Sequence, residues 1–254
     1  MSLVWLYAVT AAKTAALTGI EGRAVRDIEE AGLVAVVSDV PEDAYDQAAL
    51  DESVRDGEWL TPRATAHQSV NAAVHAATDA VLPVPFGTIY RTDERVREML
   101  RTRADELRAK LEAVRGRAEW VIALYRDTVQ AAEHLSTVRD ALEHNEPVAA
   151  GPGRRYLEDR KSESARRGEL RRLDEEATNS AHHAIGRVSK LSFEEPVVDT
   201  AADLVARTTY LLRRSDEHRM HDAIRGFNGD WQERGYELRA TGPWPPYRSS
   251  GVTA

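Results

Sequence analysis

His218 and His221 stand three residues apart in a segment of helical periodicity, a spacing that lets two imidazoles face one metal ion. A tetrahedral zinc ion would still lack at least one protein ligand there. Asp222 follows directly, but on a helix it projects about 100° away from its neighbour. The pair is therefore expected at the solvent boundary of a buried stripe, not around an ion. His67 and His75 lie two turns apart on another helical segment, too far to share an ion without ligands from elsewhere. His182 and His183 are adjacent and point in different directions.

Nucleophile and phosphate motifs give no further lead. The chain has no Gly-x-Ser-x-Gly elbow, no Gly-x-x-x-x-Gly-Lys-Ser/Thr loop and no Gly-x-Gly-x-x-Gly turn. It has no cysteine, which excludes thiolate catalysis, zinc–thiolate sites and disulfides. Carboxylates are abundant but interleave with arginines, as solvated helix faces do. The expectation is no catalytic residue, no bound metal and no cofactor. The competing reading is an enzyme on an α+β scaffold, its site assembled from a distant histidine and carboxylate. His67 or His221 beside a carboxylate in a deep pocket would favour it.

The elements that would position any site follow from periodicity. Leu3 to Val9 is apolar on both alternating faces, with Val4, Leu6 and Ala8 on one and Trp5, Tyr7 and Val9 on the other. Such a strand belongs inside a sheet covered on both sides. Val25 to Ile28 and Leu33 to Val37 flank Gly32 as a hairpin or tight connection, and Ser38-Asp39-Val40-Pro41 is expected to stop the second strand. A helix is predicted from Thr61, as N-cap, and Pro62 to about Ala80, with Ala66, Val70, Val74 and Ala77 on one stripe. Val81 to Tyr90 reads as an irregular edge segment because two prolines withhold donors. A single helix from Thr92 should carry Val96, Leu100, Leu107, Leu111 and Val114 and end at Gly116.

Beyond Arg117 the pattern can close on itself. Glu119 to Tyr125 and Leu204 to Leu212 read as strands, with a further short strand near Val197. Arg154 to about Lys190 reads as one long charged helix held by i,i+4 pairs. Met220, Ile224, Phe227 and Trp231 form a helical stripe, and Tyr236 to Thr241 a half-exposed last strand. The fold class is α+β in two domains, an N-terminal mixed α+β domain over 1–116 and a ferredoxin-like α+β sandwich over 117–242. A Pro/Trp-rich tail occupies 243–254.

Composition sets the outer bounds. At 254 residues, with 42% hydrophobic and 30% charged residues, the chain can bury a real core and is not disordered. A net charge of −8 disfavours nucleic acid, and the Gly–aromatic pattern of RNA-binding sheets is missing. No run approaches the roughly 20 apolar residues that span a bilayer, and the first residues lack a signal-peptide pattern. A cytoplasmic protein with no lipid-membrane partner is expected.

The tail is the most specific segment. Pro243, Pro245 and Pro246 fix φ and remove three donors, so Trp244 and Tyr247 are expected on a stiff, displayed arm. Gly242-Pro243-Trp244-Pro245-Pro246-Tyr247 resembles the closing signature of the GvpL/GvpF family of gas vesicle proteins. The resemblance extends in order along the chain. It includes Trp5-Leu6-Tyr7-Ala8-Val9, Leu33 to Val40, Ala66-His67-Gln68-Ser69-Val70, Leu82-Pro83-Val84-Pro85-Phe86-Gly87-Thr88, Glu119-Trp120, and Tyr156-Leu157 ahead of Arg160-Lys161. Pro85 stands where the family usually has arginine, and Tyr247-Arg248-Ser249 lacks a phenylalanine that often closes the motif. What the resemblance implies is a non-enzymatic structural or accessory protein of gas vesicles, located with the vesicle in the cytoplasm. It would bind the major, small hydrophobic shell protein and other gas vesicle proteins and assist nucleation and assembly. The partner-binding candidates are Trp244, Tyr247, Pro245, Pro246, Tyr156 and Leu157. Oligomeric state is left open, and a free-standing oligomeric scaffold without a shell partner is a third reading.

Overall fold

The computed structural model describes residues 2–45, 53, 55–142, 152–197 and 203–251, with side chains at 139–142 and 152–162 excepted. The chain divides into two compact units, Met1–Glu119 with Gly242–Ala254, and Trp120–Thr241.

In the first unit, β1 (Ser2–Thr10), β2 (Val25–Glu30), β3 (Leu33–Pro41) and β4 (Val81–Pro83) form a sheet in the order β2-β3-β1-β4, and β5 (Ile89–Tyr90) also pairs with β1. Every residue of β1 after Ser2 is buried. Each large side chain so buried contributes about 1.5–3 kcal/mol, so the central strand is the main anchor of the unit. Val4, Leu6 and Val9 pack with Val96, Leu100, Leu107, Leu111 and Val114. Trp5, Tyr7 and Ala8 pack with Tyr45, Val70 and Val74. The sequence alternation predicted Ala8 with Leu6 and Val9 with Tyr7, and the structure exchanges them. A bulge between Leu6 and Ala8 in the β1–β3 ladder is the reason, since one inserted residue inverts every side chain beyond it.

The hairpin from β2 to β3 turns through Ala31 and Gly32, with φ of 53° and 71°. That pair of left-handed residues is the two-residue turn whose twist matches antiparallel strands. β3 does not stop at Ser38 but runs to Pro41, opposite Ser2. The polar residues are tolerated because each has a partner. Ser38 Oγ donates to the Ala24 carbonyl at 3.0 Å, and the exposed Asp39 accepts from Arg26.

Helix α1 (Glu42–Tyr45) and helix α2 (Gly57–Ala77) cover the Trp5 face. α2 starts before the predicted Thr61. Asp56 caps it by accepting from the Glu58 N–H at 2.9 Å, leaving Pro62 inside. The added turn is held by packing: Trp59 lies against Tyr45, and the Arg63 guanidinium stacks 4.4 Å over the Trp59 ring. On the opposite face, the single helix expected after Thr92 is broken into α3 (Asp93–Thr102) and α4 (Ala104–Val114) at Arg103, with φ −102° and ψ 14°. Thr92 caps α3 as predicted. The break lets the apolar residues of both helices reach one face of the sheet, where Val96, Leu100 and Leu107 are fully buried.

The Tyr7 hydroxyl accepts from the Ile20 N–H and donates to Ser38 Oγ, at 3.0 and 3.1 Å. A Cβ on Gly19 would fall on that hydroxyl and 2.8 Å from Ser38 Oγ. Gly19→Ala is expected to destabilise the unit by about 2 kcal/mol through overpacking, read as a lowered urea midpoint. An unchanged midpoint would show that the Tyr7 network can yield.

The second unit contains α5 (Thr128–Leu142), α6 (Pro152–Gly186), β7 (Ser189–Glu195), β8 (Leu204–Arg213) and α7 (Glu217–Trp231), with β6 (Arg117–Arg126) from Trp120 onward and β9 (Tyr236–Trp244) as far as Thr241. The sheet order is β7-β8-β6-β9, with β7 and β8 antiparallel, which is the ferredoxin-like arrangement expected. Met220, Ile224, Phe227 and Trp231 are all buried on α7. The 35-residue α6 is less solvated than its charge suggested. Leu173, Ala177, Ala181 and Ile185 form a buried stripe on it. Asp174 accepts from Arg126 at 2.6 Å and from the Tyr236 hydroxyl at 2.7 Å, fastening the helix to two strands. Burial and that carboxylate push the Tyr236 phenol far above its ordinary range.

Candidate functional site

The proline-rich segment lies in the first unit and is docked, not displayed. β9 continues through Gly242, Pro243 and Trp244, which an edge strand allows because a missing N–H there breaks no ladder. The chain then turns. The Tyr247 N–H donates to the Pro245 carbonyl at 2.8 Å and the Ser250 N–H to the Pro246 carbonyl at 3.0 Å. Pro245 and Pro246 are buried and Trp244 is half-buried. Tyr247 is 37% exposed.

Three residues of the same unit fasten this turn. The Glu119 carboxylate, on a buried residue, accepts from both the Ser249 N–H and its hydroxyl through Oε1, at 2.6 and 2.7 Å. Asn71 of α2 donates to the Tyr247 hydroxyl at 3.1 Å. Lys110 of α4 donates to the Gly251 carbonyl at 2.7 Å. The expectation of a projecting arm is corrected here. A buried carboxylate must find donors, and a chain stiffened by proline loses little entropy when it docks. Sequence reasoning missed Glu119, Asn71 and Lys110 as anchors. One signal was available: a lone acid between Ala118 and Trp120, in a strand apolar on both faces, has to be paired.

The candidates are thus distributed. Trp244, Pro245, Pro246 and Tyr247 stand together. Tyr156 and Leu157 fall on α6, with side chains outside the described residues.

The histidines have mostly structural surroundings. His67 Nδ1 accepts from Trp5 Nε1 at 3.0 Å, and its Nε2 lies 3.2 Å from the Val84 carbonyl. The two contacts define a neutral imidazole with the proton on Nε2. Burial takes its pKa from 6.5 down to about 4. Phe86, Tyr7 and Trp5 surround the ring. His75, on the same helix, reaches the Arg117 carbonyl at 3.0 Å. His182 Nδ1 meets the Tyr210 hydroxyl at 2.7 Å. His221 packs edge-on to Trp120 and lies 3.7 Å from Glu217, with about two-fifths of each side chain exposed (42% and 43%). Among the described residues, no group of three or more His, Asp or Glu is placed to hold one ion. A groove of about 650 Å³ in the second unit is lined by Tyr125, Val129, Tyr236 and Arg239, among others, and Arg239 lies 4.7 Å over the Tyr125 ring.

These features define a class: an α+β protein with a ferredoxin-like second unit and a proline- and tryptophan-rich segment fastened to the first. The model of the gas vesicle synthesis protein GvpL/GvpF family matches residues 3–248, so the chain belongs to that family and is a gas vesicle-associated protein. It is 28% identical to gas vesicle protein L of a Streptomyces species, covering 98% of this chain and 93% of that one. Gas vesicle protein L1 of Halobacterium salinarum is 26% identical, over 96% and 88%. The crystal structure of gas vesicle protein GvpF from an Anabaena species superposes with a TM-score of 0.73 at 16% identity, covering 100% of both chains. That of GvpF from Microcystis aeruginosa gives 0.67 at 16% identity, covering 98% and 99%. The structural likenesses establish the fold. No described helix is long and apolar enough to cross a membrane.

Proposed function

We propose that this protein is a non-enzymatic accessory protein that binds the small hydrophobic shell protein of gas vesicles and assists nucleation and assembly. The observation that carries this reading is the match to gas vesicle proteins along nearly the whole chain. The physical need is plain. A shell subunit with a gas-facing apolar surface aggregates before assembly unless that surface and its strand edges are covered. The reading asks for recognition rather than covalent chemistry. Trp244 and Tyr247 are the first anchors to test, because half-exposed aromatics held by a rigid support make strong contacts. His67, whose partners are an indole and a backbone carbonyl, has surroundings that suit a structural role.

Co-purification with the major shell protein tests the proposal. The native chain should retain it, while Trp244→Ala and a truncation after Thr241 should weaken retention by about tenfold or more, the scale of losing a buried aromatic anchor. Failure of the native chain to bind the shell protein, or any other vesicle component, would remove the proposal. Equal binding by all three proteins would move the contact elsewhere, and the Val129 groove would be the next surface to substitute.

A further inference from the structure

We propose that β7 is a self-pairing edge through which two copies of this chain join their ferredoxin-like sheets into one continuous sheet. β7 is the terminal strand of its sheet and, among the described residues, pairs with β8 alone. Lys190, Leu191, Ser192 and Glu194 are exposed along it, Leu191 by 45%. An open strand edge of this kind is a template for another strand unless its side chains select the partner.

The sequence Ser189-Lys190-Leu191-Ser192-Phe193-Glu194-Glu195 selects itself. In an antiparallel pair of identical strands the two-fold axis is normal to the sheet, so each residue meets one that points to the same face. Only registers related by two-residue slips remain. Centred on Ser192, Lys190 of each copy faces Glu194 of the other and Leu191 faces Phe193, while Ser189 lies beyond the bulge and outside the pairing. One slip opposes Leu191 to itself and Lys190 to Ser192; the other opposes Phe193 to itself and Ser192 to Glu194. Both lose the two ion pairs.

The faces agree with this register. Leu191 and Phe193 stand opposite Leu211 and Thr209 of β8, so they would extend one apolar strip across the junction. Lys190 and Glu194 lie on the other face, toward α6, where His182 Nε2 is 3.8 Å from Glu194. Glu195 is already engaged by Arg207 and the Thr209 hydroxyl, which leaves Lys190–Glu194 as the pair that sets specificity. The exposed charges along the edge discourage other strands. Opposite charges in the self-register turn the same protection into recognition.

Sedimentation velocity over a concentration series tests the proposal on the full chain. The wild type should show a concentration-dependent dimer. Lys190→Glu and Glu194→Lys should each weaken it by about tenfold or more, because two cross-strand pairs turn from attraction to repulsion. An equimolar mixture of the two variants should dimerise at wild-type concentrations, since each charge then meets its opposite. Both substitutions are at exposed positions, and unchanged circular dichroism would confirm that the variants fold. A wild type that stays monomeric at all concentrations overturns the proposal. So does a dimer insensitive to either charge reversal, or one that the mixture fails to restore.

Discussion

Replacing His67 by glutamine is expected to remove about 3 kcal/mol of acid sensitivity from the first unit while leaving its neutral-pH stability within about 1 kcal/mol. His67 is 3% exposed. Its ring accepts from Trp5 on one side and reaches the Val84 carbonyl on the other, an arrangement only the neutral ring satisfies. A second proton would set Nδ1–H against the indole N–H of Trp5. Burial therefore lowers the folded-state pKa from 6.5 to about 4. The unfolded chain takes up this proton near the ordinary value, and the native state only near the lowered one. Stability is then fully present above the ordinary value and is lost progressively as pH falls toward about 4. The shift corresponds to about 3 kcal/mol at 1.36 kcal/mol per unit. Glutamine can accept from Trp5 through Oε1 and donate to Val84 through Nε2, but it does not titrate. His67→Leu deprives both partners and should cost about 3 kcal/mol even at neutral pH. Urea unfolding across the acid range distinguishes these cases. An unaltered acid slope in His67→Gln would show that another group carries it.

His67 also shows what periodicity can and cannot reveal. The sequence placed it on a helix, on the same broad face as His75 and too far from it to share an ion without ligands from elsewhere. It could not show that each ring reaches a backbone carbonyl of a different segment, because that depends on where β4 and β6 pass. The same boundary runs through the fold. The α7 stripe, the two-faced β1, the Gly32 turn and the ferredoxin-like strand–helix order are set by local pattern, and all were legible. The Leu6–Ala8 bulge was not, since an inserted residue leaves no mark in an unbroken apolar run, and Ala8 and Val9 exchange faces as a result. The early start of α2 depends on Trp59 packing against Tyr45, which outweighs a favourable Thr-Pro start. Asp174 looked like one more acid in a charged helix; its partners, Arg126 and Tyr236, lie on strands distant in sequence. Of the candidate site, the Pro-Trp segment itself was legible from its composition. Its dock was not, because Asn71, Lys110 and Glu119 come from three elements.

Glu119→Ala is expected to release that segment, weakening its docking by about 3 kcal/mol, or roughly a hundredfold. The figure follows from two hydrogen bonds to one carboxylate oxygen, both at charge-assisted lengths, that terminate on a residue 4% exposed. Glu119→Gln keeps an acceptor but loses the charge, so its effect should be intermediate. Lys110→Ala, which removes one exposed contact, should have little effect. Trypsin cleavage at Arg248 reads the release directly, and it should accelerate in the order Lys110→Ala, Glu119→Gln, Glu119→Ala. Equal cleavage rates in all three would mean that Asn71 and the buried prolines hold the segment without the carboxylate. The same variants separate two ways in which Trp244 and Tyr247 could meet the shell protein. If the docked turn is the binding form, release imposes an ordering cost, and Glu119→Ala binds more weakly than wild type. If binding requires the segment to swing free, docking competes with the partner, and Glu119→Ala binds more tightly. The sign of that change decides whether Glu119 builds the surface or keeps it closed.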